Sequence, residues 1–396
     1  MRQSDTAARR RIPTAVTVLL SVVITLAVAA GAVIALLGRD GLAVVQGWLL
    51  ARWAFVEEDA DLSEAADQAL SGMVAGLGDR WSYYVDEESY ASLQDSRANE
   101  YLGIGVTVTT EREEGLSVLS VTPDGPADRA GVVAGDVITA VDGVSVAGEA
   151  RFEGTGLIGG EAGTQQKLTL LGADGTTREV TVTLEYIQVA VVQGTMLDNG
   201  MGLVTIRNFN SRATEEFEAA VTELVEQGAS ALLFDVRNDG GGYVRELTQM
   251  LDFLLPEGPV FQSSPRWGSA TVIESDADCI DLPFGVLVNG QSYSAAELFA
   301  AQLRESAGAP IVGEVTSGKG YSQRTFPLLN GGALGLSTAR YSTGSGVSLI
   351  GTGLTPDVEV SLTEEEAAKL AAGQLAPEED PQLQALIDQM ERQMTS

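Results

Sequence analysis

From Pro13 to Gly38 the chain runs without a charged residue and is rich in Val, Leu, Ile and Ala. That exceeds the ~20 apolar residues a helix needs to cross a bilayer. Apolar clusters at Trp48, Leu49, Leu50 and Trp53, and a segment LSEAADQALSGMVAGLG that starts near Ser63 and stops at Gly76 and Gly78, predict a helical lead-in over residues 39–97. From Tyr101 the texture changes. YLGIGVTVTT, GLSVLSV, GDVITAVDG and KLTLLGADGTTREVTVTLEYI alternate β-branched and polar residues between glycine turns, which predicts a β-rich module over residues 98–187.

Beyond about residue 200 helical and continuous apolar runs take turns. Phe217, Val221, Leu224 and Val225 have helical spacing, and Gly228 follows as a stop. Ala231 to Phe234 is unbroken and apolar. DGGG, an apolar helix through Leu255, the strand FGVLV, a helix from Ser294 and the strand PIVGEV come next. Apolar strands alternating with helices predict an α/β core over residues 188–375, built on a mostly parallel sheet covered on both faces. The last stretch, PEEDPQLQALIDQMERQMTS, reads as a polar, partly helical C-terminal tail over residues 376–396. No repeat with a period of 20 to 50 residues is visible.

Charge narrows the partners. The chain holds 24 basic and 55 acidic residues, a net charge of −31. Such a surface repels phosphate backbones and argues against nucleic acid. The single cysteine, Cys279, excludes an intramolecular disulfide, and Asp276, Asp278 and Asp281 around it disfavour a thiolate. The spacing of those aspartates fits no calcium loop, so a solvated acidic turn is expected. With no histidine and one cysteine, a zinc site lacks ligands, and neither a metal nor an organic cofactor is expected. Arg9, Arg10 and Arg11 precede the apolar run, so the positive-inside rule leaves the N-terminus in the cytoplasm and exports everything after Arg39. The small-x-small site Ala27-Val28-Ala29 leaves a cleaved signal peptide open. The length of the run favours a retained anchor over residues 1–38.

Candidate chemistry lies in VNGQSYSAAELFAAQLRESAGAPIVGEVTSGKGYSQ, residues 288 to 323. Ser294-Ala295-Ala296-Glu297 fits a capping box, in which serine and glutamate satisfy free amides at a helix start. The same serine sits at a strand-to-helix turn, beside free N–H groups and the positive end of the helix dipole. Those are the donors an oxyanion requires, with Ala295 as one amide and the loop Gly240 to Gly242 as a source of a second. A serine nucleophile needs a base, and there is no histidine. A lysine serves if its pKa falls from about 10.4 towards 7–8. Three lysines exist. Lys167 lies in the β-rich module, and Lys369 follows Glu364, Glu365 and Glu366 at distances that hold it charged. Lys319, between glycines after a buried-looking strand, suits deprotonation. Capping by Ser294 and an ordinary lysine turn at Lys319 both stay open on these grounds.

In order, the motifs resemble the carboxy-terminal processing (tail-specific) peptidases, PDZ-containing serine proteases with a Ser–Lys dyad and a crotonase/ClpP-like core. GMVAGLGDRWSYYVDEESY is similar to that family's segment before its PDZ domain. YLGIGV and GPADRAGVVAGDVITAVDG resemble the PDZ signature. FDVRNDGGG resembles the strand and glycine loop, LDFLLPEG the following helix end, and GTGLTPDVEV a late Pro-Asp motif. Ser294 and Lys319 stand 25 residues apart. The resemblance implies Ser294 as nucleophile, Lys319 as general base, Gln323 as the residue orienting it, and Gly241 and Ala295 as oxyanion amides. It also implies that Leu102, Gly103, Ile104 and Gly105 present amides to a terminal carboxylate while the adjoining strand adds the peptide to its sheet. Two departures stand out: Tyr293 and Ala296 flank the serine where small residues are usual, and Gly240 replaces a proline.

The expectation is therefore a membrane-anchored serine endopeptidase that cleaves extracytoplasmic proteins near their C-termini, with PDZ recognition or gating. Its partners would be polypeptides with free C-termini, the membrane through the first helix, and a second copy of the chain if it oligomerises. A catalytically silent PDZ receptor is the rival from the binding class. Acyl-CoA chemistry on a related core is a third reading, against which no basic cluster obviously awaits the coenzyme's phosphates.

Overall fold

A chain segment without charges can satisfy its backbone only internally when it meets lipid, and here it is helical. The computed structural model describes residues 14–57 and 59–395; Arg9 to Arg11 and Pro13 lie outside the described residues. The chain divides into two units, Met1–Gly72 and Met73–Ser396. In the first, a helix spans Thr14–Ala54 and is interrupted at Gly38, whose φ of 63° and ψ of −172° are not helical. The part before Gly38 is long enough for the ~30 Å hydrocarbon layer at 1.5 Å per residue. Its large side chains are bare, Leu26 at 64% and Val28 at 66% exposed. Among the described residues it is the helix long and apolar enough to cross a membrane. A second helix, Leu62–Ala75, starts where Asp61 Oδ1 accepts the N–H groups of Ser63 and Glu64 at 2.9 and 3.2 Å.

The β-rich module forms as its alternation requires. Strands Val106–Thr109, Leu116–Val121, Val137–Val141, Gln165–Leu171 and Thr177–Thr183 make an antiparallel sheet in that order. Leu116, Ile138, Leu168, Leu170 and Val182 fill its core. Glu100–Gly103 pairs with Glu185–Gln188 as a separate ribbon. Gly115, at φ 150°, is needed there because a Cβ would meet the Ile138 carbonyl oxygen at 2.1 Å.

In the second half, one six-stranded sheet runs in the order Val192–Met196, Gly202–Ile206, Leu232–Asp235, Phe284–Val288, Ile311–Gly313, Val358–Glu359. The first pair is antiparallel and the following four are parallel. Period two sorts its side chains. Leu232, Phe234, Val286, Val288 and Ile311 join the large core with Phe209, Phe217 and Phe299 under helices Ala213–Glu226, Val244–Leu254 and Ala295–Ala307. Leu233, Leu287 and Val312 face the other way, onto Leu383, Leu386 and Met390. Removing a ring such as that of Phe234 would cost about 3–5 kcal/mol.

Three expectations need correction. A mostly parallel sheet describes neither the chain nor the whole of this half, because a second, antiparallel sheet joins Tyr83–Val85, Tyr321–Pro327, Ala333–Ser342, Gly258–Pro265 and Thr271–Ser275. Its members are rich in Gly, Ser and Thr and only partly buried, so they carry little apolar periodicity. The lead-in is not helical throughout: Tyr83–Val85 is a strand paired with Ala333–Gly335, a contact set by distant residues. The C-terminal stretch is no tail. Pro381–Thr395 is a helix whose sparse apolar residues Leu383, Leu386 and Met390 are buried at helical spacing. Buried Arg237 fastens it, bonding Asp235 at 2.6 and 2.8 Å, Asp380 at 2.7 Å and Gln382 at 2.8 Å.

Candidate active site

Ser294 stands at a sharp strand-to-helix corner. The fully buried strand Phe284–Val288 ends, five residues turn, and the helix Ala295–Ala307 begins. The turn is tied to the neighbouring strand end: Ser292 Oγ donates to the Val236 carbonyl at 2.6 Å, and the Tyr293 N–H donates to the Asp239 carbonyl at 3.1 Å. Ser294 itself has φ 62° and ψ −119°. That is strained for a residue with a Cβ, costs of order 1–3 kcal/mol, and collects at functional sites. It also lies outside the extended region from which a capping side chain normally reaches back.

The glycine loop is packed against this corner. A Cβ on Gly241 would lie 2.8 Å from both the Ala295 nitrogen and the Ser294 Cβ; one on Gly242 would lie 2.2 Å from the Phe209 carbonyl carbon. Backbone must approach backbone here, and only glycine allows it.

Glu297 joins the serine to the lysine. It is fully buried. Its Oε2 accepts the N–H groups of Ser294 at 3.0 Å and Lys319 at 2.9 Å. Its Oε1 accepts the Gly318 N–H at 2.7 Å and the Thr316 hydroxyl. The glutamate half of the capping box is thus present and extends to a second loop. On the far side, the Tyr341 hydroxyl donates to the Lys319 carbonyl at 2.5 Å and lies against the Ser294 hydroxyl; burial pushes that phenol well up.

Lys319 and Ser294 line one cleft of about 600 Å³. The amine lies 4.9 Å from the Trp81 ring centre and 5.5 Å from that of Tyr293. Burial lowers its pKa to about 8, with the Arg97 guanidinium acting the same way and Glu297 and Asp79 opposing. A lysine with that pKa is substantially neutral near neutral pH, as a general base must be. The amine packs on the rings and makes no hydrogen bond to Ser294 among the described residues.

Other expected residues are placed differently. Gln323 lines the cleft, yet its amide nitrogen bonds the Tyr321 carbonyl at 2.9 Å and Ser337 Oγ at 3.0 Å, so it does not hold the amine. The Gly241 N–H donates to Asp239 Oδ1 at 2.7 Å and is engaged within its own loop. Ala295 begins its helix, so its N–H lies outside the i→i−4 ladder. In the β-rich module, Leu102 and Gly103 belong to the Glu100–Gly103 ribbon, and Ile104 is buried. Gly105, at φ 78°, leads into Val106–Thr109, the edge strand of its sheet.

Several residues escaped the sequence reading. Asp239 is fully buried, its Oδ2 has no partner, and burial holds its carboxyl well above the usual range. Trp81 and Tyr341 wall the lysine. Arg97 lines the cleft, donating to the Tyr83 hydroxyl at 2.8 Å and Thr325 Oγ1 at 3.0 Å. Glu297 carried the one available signal, a glutamate three residues after a serine. The rest come from distant segments and leave no local pattern.

An α/β core with a strained serine at a helix start, a neutralised lysine in the same cleft and an attached β-rich module defines a serine hydrolase of polypeptides. The Peptidase family S41 model matches residues 200–360, and a PDZ domain model matches residues 101–184. A chloroplastic C-terminal processing peptidase of Tetradesmus obliquus is 31% identical over 335 residues, covering 80% of this chain and 72% of its own. A carboxy-terminal-processing protease of Bartonella bacilliformis is 32% identical over 310 residues, covering 76% and 70%. A solved structure from Bacteroides fragilis, assigned to the S41 proteases, covers 87% of this chain and 96% of its own with a TM-score of 0.54; at 16% identity the likeness is one of fold. The chain belongs to peptidase family S41, as a carboxy-terminal processing serine protease with a PDZ domain.

Proposed function

We propose that this peptidase is a membrane-anchored endopeptidase that uses Ser294 and Lys319 as a dyad to cut extracytoplasmic proteins near their C-termini. Neutral Lys319 takes the Ser294 proton, and Ser294 Oγ attacks the scissile carbonyl to form an acyl-enzyme that water later hydrolyses. The Ala295 amide is one oxyanion donor. The Gly241 amide becomes the second by sharing or exchanging its Asp239 contact. Lys319 reaches the serine by swinging off the rings of Trp81 and Tyr293, and Gln323 steadies it by exchanging the Ser337 contact. No metal or organic cofactor enters this sequence.

The single observation that carries the reading is the strained Ser294 tied, with Lys319, to one oxygen of buried Glu297. The PDZ segment Leu102–Gly105 receives a terminal carboxylate, and the edge strand Val106–Thr109 takes the peptide as an added strand. The apolar helix before Gly38 supports anchoring, and acidic charge beyond it supports export. The test uses the full chain in detergent with an unstructured polypeptide. Wild type should cleave it, and Ser294→Ala should be folded and inert. Cleavage by folded Ser294→Ala would refute the dyad.

A further inference from the structure

Two cavities meet at Trp81, and both carry a charge opposite to that of the chain. The catalytic cleft has Lys319 and Arg97 on its wall and no carboxylate. A second cavity, of about 1140 Å³, is walled by Arg80, Arg266 and Arg340, with Asp79 as its single acid. In a chain with 55 acidic and 24 basic residues, an unbiased draw would make about four of these six side chains acidic; one is.

The arginines are not neutralised from within. None of the three forms an ion pair among the described residues. Arg80 lies 4.2 Å over Trp81 and donates a long bond, 3.4 Å, to the Ser317 carbonyl. Arg266 lies 5.4 Å over Trp267. Asp79 is occupied locally, accepting from Ser82 Oγ at 2.6 Å and the Trp81 N–H at 3.1 Å. Three exposed guanidinium groups converging on one hollow repel each other unless an anion enters it.

The hollow also continues the catalytic cleft. Trp81 borders it and stands 5.8 Å from Tyr293 and 4.9 Å from the Lys319 amine on the cleft side. Along one strand, Tyr321 lines the hollow while the next two residues, Ser322 and Gln323, line the cleft. Its volume exceeds the ~300–1,000 Å³ usual for a small-molecule site. We propose that the cavity walled by Arg80, Arg266 and Arg340 is an exosite that binds an acidic segment of the polypeptide being cut in the adjoining cleft. This rests on cleavage taking place at Ser294. An enzyme of net charge −31 repels acidic chains at long range, and this patch gives them one place to land.

The test measures binding apart from turnover. Full-chain Ser294→Ala in detergent is titrated, by fluorescence anisotropy, with a labelled unstructured peptide carrying a run of glutamates and with its glutamine counterpart. The acidic peptide should bind about tenfold more tightly at low salt, and the preference should shrink as salt rises. Adding Arg80→Gln, Arg266→Gln and Arg340→Gln should bring the two affinities within about twofold, while Arg→Lys at the same positions should keep most of the preference. Matched melting temperatures establish that the variants are folded. Equal affinities for the two peptides, or a preference that survives the triple glutamine variant, would overturn the exosite. In enzyme with intact Ser294, the ratio of kcat/KM for the two peptides should follow the binding ratio and collapse in the triple variant. A binding preference with no counterpart in kcat/KM overturns delivery to the cleft. A failed dyad would show instead as cleavage by Ser294→Ala, with the binding titration still readable.

Discussion

The backbone N–H groups of Ser294 and Lys319 are bound to the same oxygen, Oε2 of Glu297, at 3.0 and 2.9 Å. One buried carboxylate therefore fixes the spacing between the helix start that carries the proposed nucleophile and the loop that carries the proposed base. Its other oxygen holds Gly318 and Thr316, so the lysine loop is clamped on both sides of its turn.

Glu297→Ala removes the acceptor from three backbone N–H groups, at about 1–3 kcal/mol for each left unsatisfied in the interior. The expected result is a lower melting temperature and a kcat reduced about a hundredfold or more, with Glu297→Gln intermediate. Melting curves and kcat on one unstructured substrate check this. A kcat unchanged in folded Glu297→Ala would remove Glu297 from the positioning role.

Lys319 sets the pH response. Its burial lowers the pKa to about 8, and a base acts only when neutral. Activity should therefore be full above pH ~8 and fall about tenfold per pH unit below it, in kcat/KM profiles. Lys319→Met should be inactive. In the unfolded chain the amine titrates near 10.5, so between pH ~8 and ~10.5 the unfolded state binds more protons and stability rises with pH. Lys319→Met should abolish that rise and, at pH 7, melt about 2–4 °C higher than wild type.

Asp239 predicts the opposite slope. Burial raises its carboxyl well above 3.8, so above pH ~4 the folded state holds a proton the unfolded state has lost, and stability falls as pH rises. Asp239→Asn keeps an oxygen for the Gly241 N–H and cannot ionise. Its melting temperature relative to wild type should climb from pH 4 to pH 7, with kcat within about threefold at neutral pH. A difference that is flat with pH would show that Asp239 does not titrate as a buried acid.

Arg237 is held protonated, against its burial, by Asp235 and Asp380. Arg237→Met would leave two buried carboxylates without their cation. Denaturant unfolding should show a loss of about 3–5 kcal/mol. Loss of the C-terminal helix's attachment should appear as early proteolysis between residues 376 and 396.

The sequence by itself determined the apolar helix, the alternation of the PDZ strands, the strand–helix succession around Phe234 and Val286, and the pairing in kind of Ser294 with Lys319. Each is a local matter: hydrophobic period, turn residues, or a choice among three lysines in a chain without histidine. Tertiary structure alone decided the antiparallel sheet, because Tyr83–Val85 finds its partner some 250 residues later and its half-buried strands show no apolar rhythm. It also decided that Gln323 bonds Ser337, that Asp239 captures the Gly241 amide, and that Trp81, Arg97 and Tyr341 surround the amine. Burial and the approach of distant charges set these, and neither is a property of neighbours along the chain. The residue types announced the chemistry; the folding of remote segments onto one cleft supplied its electrostatics.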